Sequence, residues 1–518
     1  MTAPPLATSS VLATRRGKLV LAFLCAVAFL DFLDTSVVNV ALPSIARDLN
    51  FSVQNLQWVL SGYVVTYGGF LLLGGRCADL LGRRRVLVAG TALFGLASLT
   101  GGLAQNSGML VGARLAQGVG AALMSPAALS ILTTTYREGP ERRKALGAWG
   151  GMAGLGSAAG VLLGGVLTQG PGWRWVFLVK PPLCVIVLAG AFLLLEGDRR
   201  RGRLAHFDIP GALLATLGAL LLLYALVRAP AVGWGSARTI GELAGAAVLL
   251  AAFVLNEQRA ANPLLPLSIF RIRGLAAADI TQLVGIAGMF AVFFFLTLYL
   301  QDILGYSPIR TGLAYLPVTA GVGLSASLAP RLIGRLGIRP VLAAGTLVAG
   351  GGVYWLSRVP IHGSYPADIL PGLVILSIGL GAEFVAATTA ANAGVPPQTA
   401  GLAAALFNSS QWIGGALGLA IFTAIATART SHLLASHAPA PVALDAGFHR
   451  ALLTASIFLL AAALVALRTT GSSGEPSAEP LTAVRQEPAS NPTARSAEVS
   501  PSAARTMGRA GGDENGSR

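Results

Sequence analysis

Long apolar stretches recur along this chain, each about the length of a membrane crossing, and that recurrence limits its fold more than any single motif. A bilayer core takes ~20 consecutive apolar residues in helical form. By that measure the sequence holds roughly fourteen such runs, the first over 18–43 and the last over 449–468. Composition agrees: 54% of residues are hydrophobic and only 11% charged, with a mean hydropathy of +0.68. So little charge does not coat a soluble body of 518 residues. The 64 glycines and 28 prolines would be awkward in a soluble helical protein. Membrane helices tolerate both, because neighbouring helices satisfy the freed backbone groups. The expected class is an all-α polytopic membrane protein.

A net charge of +15 invites a nucleic-acid reading. The arginines argue against it, since they sit in short loops between apolar runs and not along one basic face. The first run follows Arg15, Arg16 and Lys18, as in a signal peptide. It is too long for one and lacks a small-residue cleavage site, so it is read as a retained span. Cys25, Cys77 and Cys184 show neither disulfide nor metal spacing. With the N-terminus inside, the inner loops collect Arg83, Arg84, Arg85, Arg142, Arg143, Lys144 and the cluster Arg199 to Arg203, while outer loops hold far fewer cations. The positive-inside rule then puts both termini in the cytoplasm, in the cell membrane.

An internal repeat divides the chain. "GRCADLLGRRRVL" (Gly75 to Leu87) aligns without gaps on "PRLIGRLGIRPVL" (Pro330 to Leu342), so that Gly82 falls on Gly337, an offset of 255 residues (337 − 82). Both segments join the second and third spans of a six-span half. Two pseudo-repeated halves with a binding site between them are a common plan of secondary transporters. The expected organisation is a cytoplasmic N-terminus over 1–17, a six-helix half over 18–196, an inserted helix pair over 197–256, a second six-helix half over 257–468, and a cytoplasmic tail over 469–518. That tail is rich in Ser, Pro, Ala and Glu without periodicity and is expected to be disordered.

Several motifs, in order, carry a resemblance. "GRCADLLGRRR" is similar to the signature loop of the major facilitator superfamily. "LDTSVVNVALP", "RLAQGVGAAL", "GSAAGVLLGG" and "GLAAALFNSSQWIGGALGLA" resemble further signatures of its fourteen-span drug:proton antiporters. The resemblance covers the membrane part to about residue 468. It implies two six-helix halves plus two inserted helices, proton coupling and drug export. It also implies that Gly75, Asp79, Gly82, Arg83 and Arg84 form a latch stabilising the outward-facing state. Glycines there also permit a tight turn. Simple membrane anchoring remains the alternative for the arginines. The row Gly156, Gly160, Gly164, Gly165 matches an antiport-type packing motif, with Val161 where the family has Pro. Lys180, in "WRWVFLVKPPLCV", stands where the family usually has Asn and is read as snorkelling to the membrane edge.

Asp31 and Asp34 lie inside the first apolar run, on one polar arc with Thr35 and Asn39. An Asp at mid-helix costs ~2.5–3.5 kcal/mol on insertion scales. Groups at that depth face a cavity or a partner. At 1.5 Å per residue Asp34 sits ~24 Å from the inner face, and Arg114, entering from the other side, ~21 Å. Arg114 shares a face with Gln117. The resemblance links this Arg to proton transfer. Asp34 and Asp31 with Arg114 are therefore the candidate proton-coupling group. A purely structural role within the first half is the alternative.

Candidate substrate residues are Glu383, Gln57, Tyr63, Tyr67, Gln117, Gln282, Asn408, Gln411 and Trp412. An acid and aromatic faces suit an amphipathic cation. Interhelical hydrogen bonding is the alternative for Asn408 and the glutamines. No phosphate-binding Gly-rich loop with Lys appears, so ATP drive is not expected, and no cofactor or metal is implied. The expected function is proton-coupled export of amphipathic drugs or antibiotics by a monomer. A proton-linked exporter of one endogenous metabolite, lipid or siderophore is the rival in the same class. A membrane enzyme is disfavoured because the five histidines form no cluster. A channel is disfavoured for want of a filter loop.

Overall fold

Backbone amides that enter lipid must bond within their own segment, so such a chain folds as helices. The computed structural model describes residues 11–137, 140–197, 208–260, 274–393 and 400–469, together with 269, 272 and 395. Residues 198–207 and 470–518, which hold the Arg199 to Arg203 cluster and the tail, lie outside the described residues. The helices are α1 (Arg15–Asp48), α2 (Val53–Leu81), α3 (Arg83–Gly102), α4 (Ser107–Thr135), α5 (Pro140–Gln169), the short α6 (Trp175–Leu178) and α7 (Lys180–Leu194). They continue as α8 (Ile209–Val232), α9 (Ala237–Arg259), α10 (Leu275–Leu298), the short α11 (Pro308–Ala314), α12 (Leu316–Leu336) and α13 (Ile338–Leu356). The last three are α14 (Leu370–Asn392), α15 (Ala400–Ala435) and α16 (Ala440–Ala466). Among the described residues eleven stretches are long and apolar enough to cross a membrane. Helices α2, α8 and α13 are not among them, so the expected fourteen crossings are three more than these criteria count.

The ends of the helices are written locally. Thr14, Ser52 and Asn106 each cap a helix by accepting a backbone N–H three residues on, at 3.0, 3.2 and 2.8 Å. Gly82 breaks α2 from α3 at φ 103°, and its repeat counterpart Gly337 breaks α12 from α13 at φ 87°. Both angles lie in the region that favours glycine.

Small residues decide which helices pair. A Cβ on Gly120 would lie 2.7 Å from the backbone nitrogen of Phe94, bringing α4 close against α3. Gly90 faces Gly120, and Gly345, 255 residues on (345 − 90), faces Gly379 across α13 and α14. On α5, Gly156, Gly160 and Gly164 pack on the α1 backbone between Phe29 and Val40, where a Cβ would come within 2.9 Å of a carbonyl. Gly414 and Gly418 of α15 pack in the same way on Leu283 and Ala287 of α10. The main pairings recur in both halves: α3 with α4 as α13 with α14, α1 with α5 as α10 with α15, and α2 with α4 as α12 with α14. The halves meet where Gly165 of α5 abuts Ile309 of α11, where Gln301 donates to the Val40 carbonyl at 2.8 Å, and where Gly68 of α2 meets Trp412 of α15. Helix α8 packs on α2 and α15, beside the seam between the halves, and α9 packs on the outside of α8. Outward-facing apolar side chains such as Ile186 (67% exposed), Leu193 (81%) and Leu464 (69%) form a surface suited to lipid and not to water.

Candidate functional site

The centre of the first half holds a closed network of charge. Asp31 and Asp34, three residues apart on α1, are both buried. The matched depth of their helices brings Arg114 to Asp34: its Nη1 lies 2.7 Å from Asp34 Oδ2. The same guanidinium donates through Nε to the Val59 carbonyl at 2.7 Å and through Nη1 to Gln117 Oε1 at 3.0 Å. Its plane lies over the Tyr63 ring, 4.4 Å from the centroid. Gln117 in turn donates to Ser98 Oγ at 2.7 Å. Close approach of α2 and α4 makes this possible, because Gly118 sits against Tyr63 and Thr66 with no room for a side chain.

The second cation on Asp34 was missed by sequence reasoning. Lys180 donates to Asp34 Oδ1, and neither group is exposed at all. The expectation that Lys180 snorkels to the membrane edge is therefore wrong. The turn of α6 and the prolines at 181 and 182 start α7 so that its first residue points into the bundle, over the Phe177 ring at 4.6 Å. The lysine's place at a helix start, before "PPLCVIVLAG" and one turn from the aromatic "WRWVF", is visible in the sequence, but its inward direction is not.

Asp31 has different partners. Tyr63 donates to its Oδ1 at 2.7 Å and Tyr67 to its Oδ2 at 2.6 Å. Tyr67 stacks on Trp412 of α15, with ring centroids 4.2 Å apart, and Tyr63 meets the same indole edge-on at 6.0 Å. The carboxylate network of the first half thus reaches the second half through two phenols and one indole.

The other candidates are spread more widely. Glu383 on α14 is buried, and neither carboxylate oxygen has a hydrogen-bond partner among the described residues. It lies against Gly285 of α10, one turn from the buried Gln282, and Gly345 of α13 presses on its backbone. Asp279, also on α10 and likewise buried without a partner among the described residues, escaped the sequence reading. Asn408 and Gln411 are half-buried on α15, on the turn before Trp412. Gln57 lies apart from the acids, in a groove of about 940 Å³ between α2, α4 and α8 that Trp58, Tyr224 and Arg228 also line. In the repeat loop, Arg83 donates to Thr134 at 2.8 Å and Arg84 to the Phe192 carbonyl at 3.1 Å, both within the first half. Gly75 faces Pro126 of α4. The side chain of Asp79 lies outside the described residues.

Comparison with known proteins gives this arrangement a family. The sequence profile of the Major Facilitator Superfamily matches residues 24–419. The chain belongs to the major facilitator superfamily. Among its relatives, this facilitator is 41% identical over 430 residues to the puromycin resistance protein pur8 of Streptomyces alboniger, covering 82% of this chain and 84% of that one. It is 39% identical over 463 residues to the cephamycin export protein CmcT of Amycolatopsis lactamdurans (88% and 93%). It is 37% identical over 415 residues to the lincomycin resistance protein of Streptomyces lincolnensis (80% and 85%). In fold, it matches the inward-facing structure of a bacterial homologue of the human lysosomal transporter Spinster with a TM-score of 0.62 at 17% identity, over 88% of this chain and 97% of that one. The inward-open xylose transporter XylE of E. coli matches with a TM-score of 0.55 at 14% identity, over 85% and 95%. The protein is a multi-pass membrane transporter of the facilitator fold and not an enzyme.

Proposed function

We propose that this facilitator exports small amphipathic antibiotics across the cell membrane in exchange for protons. The observation that carries the reading is the dry carboxylate network of α1, tied through Tyr63 and Tyr67 to Trp412 of the opposite half. A titratable group whose hydrogen-bond partners pack against the opposite half is sensitive to the tilt of the halves, which is what coupling requires. Relatives named for resistance to puromycin and lincomycin support a drug as cargo. In this reading both termini are cytoplasmic. The Gly75 to Arg84 loop then acts as a latch on one state, and Gly156 to Gly165 set the antiport-type packing of α5. Glu383, with Gln282, Asn408, Gln411 and Trp412, offers the cargo an acid and an aromatic face, and Gln57 lines a lateral groove. A relative named for cephamycin export favours a narrower second reading, export of one product made by the cell itself.

Uptake into inverted vesicles decides between them. Ethidium, puromycin and lincomycin are offered with and without an imposed pH gradient. Uptake of several of them that collapses with the gradient is the expected result. Uptake that ignores the gradient would remove the antiport reading, and transport of a single compound would favour the narrower one.

A further inference from the structure

We propose that Asp31, and not Asp34, is the carboxylate that exchanges the proton, and that Lys180 and Arg114 hold Asp34 as a fixed counter-charge. This rests on the antiport reading and says which atom carries the proton.

Hydrogen-bond inventory separates the two acids. A carboxyl group that takes up a proton becomes a donor and needs an acceptor for it. Lys180 occupies Asp34 Oδ1 and Arg114 occupies Oδ2, and both side chains are donors only. Nearby acceptors are already engaged: the Val59 carbonyl and Gln117 Oε1 both take N–H groups of Arg114. A proton on either Asp34 oxygen would therefore face an ammonium or a guanidinium, and that cation would have to turn away in a site with no exposure. Asp31 poses no such conflict. Each of its oxygens accepts from a phenol, and a phenol hydroxyl both donates and accepts. When a hydronium gives its proton to an Asp31 oxygen, water leaves and the facing hydroxyl rotates to accept the new O–H. The reverse step returns the proton to water and the phenol to its donating role, and no other covalent bond is made or broken.

The charged and polar groups around Asp31 and its partners fit this assignment. Asp34 shares its helix, Tyr63 and Tyr67 come from α2, and Arg114 and Ser125 from α4. Lys180 reaches in from α7 onto Asp34, and α15 supplies the neutral Trp412. Two fixed cations and two carboxylates balance when Asp31 is ionised, and protonation leaves one net positive charge in a buried cluster. That charge appears one phenol away from Trp412, at the seam, so the change acts where the halves meet.

Infrared difference spectroscopy on the purified transporter in lipid nanodiscs tests this without any cargo. On acidification the wild type is expected to gain a carboxylic-acid C=O band. Asp31→Asn should lose it, Asp31→Glu should move it, and Tyr67→Phe should shift it to higher frequency by removing one hydrogen bond. The double variant Asp34→Asn/Lys180→Asn, which removes one charge of each sign, should keep it. A band unchanged in Asp31→Asn, absent from the double variant or absent from the wild type overturns the assignment. Ethidium uptake into inverted vesicles runs beside it, with at least a ten-fold loss of gradient-driven uptake expected for Asp31→Asn. Wild-type efflux indifferent to pH removes the antiport reading itself, whereas a proton-driven wild type with an active Asp31→Asn variant removes only the role of Asp31.

Discussion

At the scale of single residues, Lys180 shows how a buried charge is kept. An ammonium without exposure persists only because Asp34 faces it, and Asp34 persists among apolar helices only because two cations face it. Removing one partner of such a set costs far more than replacing the whole set. Lys180→Ala is expected to lower stability by about 3 kcal/mol, while Lys180→Arg keeps the charge and most of the stability. Thermal unfolding in detergent reads both, and an unchanged Tm for Lys180→Ala would contradict the buried pair. The lysine itself was legible in the sequence, but its direction was not. Snorkelling and inward burial use the same residue at the same helix start, and only the turn at Trp175–Leu178 chooses between them.

At the scale of elements, glycines set which helices touch. The row on α5 and the positions of the repeat could be read directly, because small residues one turn apart leave a groove whatever packs into it. The groove's occupant could not be read. Gly156, Gly160 and Gly164 take α1, whereas Gly165, one residue on, faces Ile309 of the other half. Two substitutions separate these roles. A Cβ at Gly345 would stand 2.8 Å from the Glu383 nitrogen, so Gly345→Val is expected to cost about 1–3 kcal/mol through overpacking of α13 on α14. Gly147, on α5 with nothing within 4 Å, should accept Ala and gain up to ~1 kcal/mol from helix propensity. Folded yield and Tm of the two variants should move in opposite directions, and parallel behaviour would show that packing does not govern these sites.

For the whole molecule, the repeat makes one half a template for the other, and the seam between them is where motion is decided. The halves touch at Val40 and Gln301, at Gly165 and Ile309, and at Gly68 and Trp412. If transport requires these contacts to part, a tether across them stops it. With Cys25, Cys77 and Cys184 replaced by serine, a short bis-thiol reagent joining Val40→Cys to Gln301→Cys is expected to arrest ethidium efflux, and the untreated variant should retain it. Full efflux after confirmed cross-linking would refute rocking at this seam.

The sequence alone determined that the chain is helical and membrane-embedded, that it repeats in two halves, and that it carries acids where lipid would not tolerate them. Those properties follow from local quantities: apolar length, glycine spacing and the cost of burying charge. Which cation meets which carboxylate, and which phenols reach Asp31, only the tertiary structure decided. Those pairings join residues 32 to 146 positions apart, and sequence spacing carries no information about them until the helices have packed.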